Sequence, residues 1–147
     1  MIRHRIFILI AVSISLCGCM TNSGQSQLVT QLDSGESQRV VTYGTSLTAL
    51  PWGTWARDIQ AALEQQFPGQ VEIINSAKGG MWSTWGVENL DERVIVKNPD
   101  TVIIEFGIND AYLEYETSVK KARDNLENMI DQILASNPKC EIILMTM

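Results

Sequence analysis

Histidine is nearly missing from this sequence: the one imidazole, His4, stands in an N-terminal leader, and none follows it. The three cysteines are also poorly placed for metal chemistry, since Cys17 and Cys19 belong to that leader and only Cys140 lies beyond it. No histidine or thiolate cluster is available to hold a metal, and a single remaining thiol cannot form an internal disulfide. Basic residues are outnumbered, 11 Lys and Arg against 17 Asp and Glu, and the net charge of -6 argues against a nucleic-acid-binding surface. There are only four prolines and no repeat or low-complexity tract. No apolar run reaches the roughly 20 residues of a membrane-spanning helix. A hydrophobic content of 45% and a charged content of 19% then describe an ordinary globular protein, and 147 residues are enough for one domain.

The leader has its own logic. Arg3 and Arg5 precede an uncharged apolar run from Ile6 to Leu16, the length of a signal-peptide core. Leu16-Cys17-Gly18-Cys19 resembles a lipobox, in which cleavage after the small residue Gly18 exposes Cys19, whose thiol carries lipid. Residues 1–18 are thus expected to be a lipoprotein signal peptide, with Cys19 the membrane anchor in the cell envelope. Met20 follows it rather than Asp, and the resemblance to bacterial lipoproteins points to the outer membrane. Residues 19–38, rich in Ser, Thr, Gln and Gly, read as a flexible tether, and residues 39–147 as the folded domain.

Within that domain strand and helix signals alternate. Val40 to Tyr43 is a short β-branched and aromatic run ending at Gly44, and Val71 to Asn75 and Thr101 to Phe106 are further strands. Cys140 to Met145 begins a fourth. Between them lie a helix over Thr54–Phe67, with Trp55, Ile59, Ala62, Leu63 and Phe67 at helical spacing, and one over Thr84–Lys97, with Leu90 and Val94 on one face. The clearest helix is Thr117–Ser136, whose apolar stripe is Val119, Ala122, Leu126, Met129, Ile130 and Ile133, and which Pro138 ends. Strands joined by single helices pair in parallel. The expected fold is α/β: a three-layer α/β/α sandwich around a parallel, flavodoxin-like sheet, with its site beyond the carboxyl ends of the strands.

Three polar, glycine-containing turns follow three successive strands: Gly44-Thr45-Ser46-Leu47-Thr48, Asn75-Ser76-Ala77-Lys78-Gly79-Gly80 and Gly107-Ile108-Asn109-Asp110. The topology brings all three to one edge. In order and in content they resemble the SGNH, or GDSL-like, hydrolase superfamily, from about Val40 to the C-terminus. The resemblance implies that Ser46 is a catalytic nucleophile, with Gly80 and Asn109 as oxyanion-hole donors beside the Ser46 backbone N–H. It implies an ester substrate, cleaved through an acyl-serine intermediate, and no cofactor. A serine hydroxyl needs a base to take its proton, and donors aimed at the acyl oxygen stabilise the charge that gathers there. Position 45 is Thr where the family has Asp, a change expected to alter hydrogen bonding within the turn. Asp110 is expected to hold its turn together, since the family draws its catalytic Asp and His from a later D-x-x-H motif.

That motif is absent. The chain ends in the apolar run Ile142-Ile143-Leu144-Met145-Thr146-Met147, which is expected to make it the front part of an interrupted enzyme, inactive as it stands, rather than a catalysis-free relative. Lys78, the one conceivable substitute base, is a poor candidate. All four tryptophans fall between positions 52 and 85. Trp55 and Trp85 read as packing residues, whereas Trp52 and Trp82, just after Ser46 and Gly80, read either as packing or as surfaces facing a sugar or acyl chain. Acylated polysaccharide is the expected partner; a lysophospholipid or thioester substrate and a non-catalytic glycan-binding lipoprotein are the alternatives. A nucleotide-binding domain of the same layered form is excluded, because neither G-x-G-x-x-G nor G-x-x-x-x-G-K-[ST] occurs.

Overall fold

The computed structural model describes residues 26–49 and 55–146. Cys19 and the signal segment lie outside the described residues. The β-branched runs form four parallel strands, β1 (Gln38–Gly44), β2 (Val71–Asn75), β3 (Thr101–Glu105) and β4 (Glu141–Leu144), ordered β2-β1-β3-β4. The register sets Val40 against Ile73 and Thr101, Val41 against Val102, and Gly44 against Glu105. Every residue of β3 is buried, as a central parallel strand covered on both faces requires.

Side chains alternate across the sheet with the two-residue period of the strand. Val41, Tyr43, Val102 and Ile104 face one layer with Leu90, Met129 and Ile133, while Val40 and Ile103 face the other with Leu28, Leu32 and Phe67. The first layer is built by α4 (Ser83–Glu88), α5 (Leu90–Arg93) and α7 (Val119–Ser136), the second by α1 (Gln27–Asp33) and α3 (Trp55–Gln66). Two further short helices, α2 (Ser46–Ala49) and α6 (Gly107–Asp110), follow the ends of β1 and β3. Ser118 caps α7, its hydroxyl accepting from the Lys121 N–H at 3.1 Å. Cys140 is buried beside β4, and burial pushes its thiol up to about 11, so it serves as a small packing residue.

Four expectations are corrected. Part of the tether is helix: in α1, Leu28 and Leu32 stand four residues apart on one face and are buried, and the Glu141 carboxylate accepts from the Gln27 and Leu28 N–H groups and the Ser26 hydroxyl. The expected helix over 84–97 is broken into α4, α5 and a 3₁₀ turn, Ile95–Lys97. Asn89 departs from helical backbone and bonds its own side chain to the Trp85 carbonyl, and Val94-Ile95-Val96 is a β-branched run that helices tolerate poorly. Leu90 and Val94 are nonetheless both fully buried. Val119 heads α7 but is 88% exposed, outside the stripe; Met129 and Ile133 anchor the helix, with Leu126 packed against them. On α3, Ile59 and Ala62 are exposed, and Ala56 is its buried residue.

Candidate active site

The three polar turns meet at the carboxyl end of the sheet. The first starts where β1 stops. The Thr45 carbonyl accepts from the N–H groups of Thr48 and Ala49, which winds residues 46–49 into α2 and leaves Ser46 partly exposed at its first position. The second turn crosses this one: the Lys78 N–H donates to the Gly44 carbonyl at 3.0 Å, and the Asn75 amide donates to the Thr48 carbonyl at 2.7 Å. Gly79 then passes Ser46 so closely that a Cβ on it would lie 3.5 Å from the Ser46 Cβ. Gly80 has φ of +76°, and a Cβ there would touch nothing within 4 Å. Glycine is therefore required at position 80 by backbone conformation and not by crowding.

The third turn holds the same loop. Asn109, on α6, donates from Nδ2 to the Met81 carbonyl at 2.7 Å. A primary amide has two N–H bonds, so one is committed to Met81 and the other is available. The Asp110 carboxylate accepts from the Ser83 N–H at 2.9 Å, which ties its turn to the start of α4. The buried Asn125 of α7 donates to the hydroxyls of Ser83 and Thr84. The Tyr115 hydroxyl donates to the Gly80 carbonyl at 2.7 Å. The Gly80 and Met81 carbonyls are thus both occupied by donors, and the peptide plane between the two residues is fixed.

Ser46 and Asn109 accordingly reach one three-residue stretch, 79–81, with Gly80 in its middle. Trp82 is half-buried and stacks on Tyr115 with ring centroids 4.6 Å apart, and Tyr112 meets Tyr115 edge-on at 5.5 Å. Trp85 packs on Tyr43, whose hydroxyl donates to the Gly86 carbonyl and has its pKa raised by burial. The exposed Lys78 places its ammonium 5.7 Å from the Trp85 ring centroid. Trp52 lies outside the described residues. Beside α6, an apolar groove of about 860 Å³ opens between α7 and β4, lined among others by Phe106, Ile108, Leu126, Met129 and Leu144. Among the described residues no three His, Cys, Asp or Glu side chains group as a metal site, and no helix is long and apolar enough to cross a membrane.

Three contributors were not expected. Glu105, at the end of β3, is buried under the first turn and accepts from the hydroxyls of Thr45 and Thr48; a carboxylate closing an apolar strand was its only signal. Asn125 interrupts the stripe of α7, a polar residue on a buried face. Tyr115 had no signal at all, since a 3₁₀ turn brings it to Gly80. Thr45, the departure from the family pattern, is fully buried; its hydroxyl donates to Glu105 and accepts from the Leu47 N–H.

The GDSL-like Lipase/Acylhydrolase family matches residues 41–147. Curated proteins give no match. Among solved structures, a lipase/acylhydrolase from Enterococcus faecalis is 30% identical, with a TM-score of 0.63 over 73% of this chain and 55% of its own. A two-domain esterase active on acetylated mannans is 24% identical, with a TM-score of 0.67 over 80% of this chain and 32% of its own. An acetyl xylan esterase from Geobacillus stearothermophilus is 22% identical, with a TM-score of 0.63 over 76% of this chain and 60% of its own. This chain spans less than two thirds of each. With the α/β sandwich and the three converging turns, the match over residues 41–147 establishes that the chain belongs to the GDSL-like lipase/acylhydrolase family.

Proposed function

We propose that residues 39–147 carry the nucleophile and oxyanion hole of a serine ester hydrolase. Ser46 Oγ bonds to the acyl carbon, the bond from that carbon to the ester oxygen breaks, and the serine proton passes by way of a base to the leaving alcohol. The backbone N–H groups of Ser46 and Gly80 and the Asn109 amide receive the acyl oxygen as its charge grows. The observation that carries this reading is the shared loop: Ser46 lies against Gly79, Asn109 bonds Met81, and Gly80 sits between them. The described residues contain no histidine to serve as that base. Only slow acylation of Ser46, by an activated ester and without turnover, is therefore expected of the 147-residue chain.

The preferred substrate in this reading is a short acyl ester, such as acetyl, on a polysaccharide. The aromatic cluster of Trp82, Tyr112 and Tyr115 beside Gly80 supports it, as do the acetylated-mannan and acetyl xylan esterases among the fold relatives. The apolar groove next to α6 favours a second reading, a longer acyl chain. Incubating the chain with p-nitrophenyl acetate or octanoate and mapping adducts by mass spectrometry tests both. Acetyl should accumulate at Ser46 faster than at any other serine, and not at all in Ser46→Ala. Adducts spread evenly over Ser and Lys side chains would sink the nucleophile assignment and leave the glycan-binding alternative, while faster octanoylation would move the substrate to the second reading.

The same proposal places the domain at the cell envelope through lipid on Cys19. The chain made in a bacterial host should partition into a detergent phase, and Cys19→Ala into the aqueous phase. Equal partitioning of the two proteins would count against the anchor.

A further inference from the structure

Glu105 is 1% exposed at the end of a strand whose other residues are all uncharged, and it forms no ion pair among the described residues. A leucine would complete that strand at no electrostatic cost, whereas a buried carboxylate is costly unless donors surround it. The donors here are unevenly shared. Oε2 accepts from the Thr45 hydroxyl at 2.7 Å, the Thr48 hydroxyl at 3.1 Å and the Thr45 N–H at 3.2 Å. Oε1 is buried with no partner among the described residues. All three donors belong to one turn and stand on both sides of Ser46 in sequence. The clamp extends further, because the Thr48 carbonyl receives the Asn75 amide, whose Oδ1 in turn accepts from the Ala77 N–H. One carboxylate oxygen thus ties the end of β3 to the nucleophile turn, and that turn to the loop carrying Gly79 and Gly80.

We propose that Glu105 is a positioning residue for Ser46: by gripping Thr45 and Thr48 it holds the serine between them against the Gly79–Met81 loop. The inference rests on Ser46 being the nucleophile, and it adds to that reading a residue that never touches substrate. Its effect is geometric, since displacing a reacting group by about 1 Å can cost 10²-fold in rate.

The test uses the full chain and the rate of Ser46 acetylation by p-nitrophenyl acetate, measured below the melting transition of each variant. Glu105→Leu, which has no acceptor, should slow acetylation by about 10- to 100-fold. Glu105→Gln, which keeps a carbonyl acceptor, should recover most of that rate. Thr45→Val, which loses the hydroxyl bond to Glu105 and the weaker one from the Leu47 N–H but keeps the Thr48 donor, should fall between them. A folded Glu105→Leu chain acetylated at the unmodified rate, or an equal loss in the Leu and Gln variants, would overturn the proposal. Should the Leu variant not fold, Thr45→Val decides: several-fold slower labelling supports the clamp, and an unchanged rate overturns it. Failure of the unmodified chain to label at Ser46 is a separate result, which removes the nucleophile assignment itself and this inference with it.

Discussion

Gly44→Ala is expected to cost about 3 kcal/mol or more and to leave much of the chain unfolded at room temperature. A Cβ at position 44 would lie 2.2 Å from the Glu105 backbone carbonyl oxygen, 2.9 Å from the Thr48 hydroxyl and 3.0 Å from the Glu105 carboxylate. A flexible side chain could move aside, but this obstacle is main chain. Gly44 is paired with Glu105 in the central β1–β3 register, so separating them breaks the pairing on which both faces of the core are built. Overpacking with room to relax usually costs about 1–3 kcal/mol, and a rigid backbone puts this change at or beyond the top of that range. Against a total stability of about 5–15 kcal/mol for a domain, that is a large share. Urea denaturation followed by circular dichroism measures it, with Gly107→Ala as the control, since a Cβ there meets nothing within 4 Å. A Gly44→Ala midpoint equal to that of the unmodified chain would show that β1 and β3 do not approach so closely. Close backbone packing is thus what asks for glycine at position 44.

How far the sequence alone leads depends on what kind of force positions each residue. The strands were legible because a doubly covered parallel strand must be apolar on both faces, and Val40-Val41 and Val102-Ile103-Ile104 can satisfy nothing else. The convergence of three turns followed from topology, and the structure brings Ser46, Gly79 and Asn109 to one loop. What periodicity could not supply was the end of each stripe. Val119 keeps the helical spacing but projects from the first turn of α7, past the layer that covers Met129 and Ile133. Residues 27–33 were lost for the opposite reason: two leucines four apart in a polar segment give too weak a signal, and only the sheet face they cover makes them a helix. Glu105 and Asn125 were missed because a polar residue at an apolar position announces a partner without naming it. The partners, Thr45 and Thr48 for one and Ser83 and Thr84 for the other, lie more than 40 residues away in sequence.

The second large effect concerns Asn109. With no histidine among the described residues to serve as base, the acceleration expected of the proposed site is what oxyanion donors and binding supply, about 10³–10⁴ over water in serine hydrolases stripped of a triad member. Removing one oxyanion donor typically costs about 10²–10³, so Asn109→Ala should cut Ser46 acetylation nearly to the solution rate. Stability should hardly change: the substitution removes one hydrogen bond, to the Met81 carbonyl, from a partly exposed residue, and such a bond contributes about 1 kcal/mol net. The contrast between a large rate loss and a small stability loss separates a donor from a mere staple. Asn109→Asp sharpens it. The carboxylate has nearly the same shape but no N–H, so it turns an oxygen toward the Met81 carbonyl and puts negative charge where the acyl oxygen must become negative. That variant should label at Ser46 no faster than Asn109→Ala, although its size is preserved. If both variants kept acetylation within a few-fold of the unmodified chain, the Asn109 amide would be only a brace for Met81, and the oxyanion hole would have to be built from backbone donors alone.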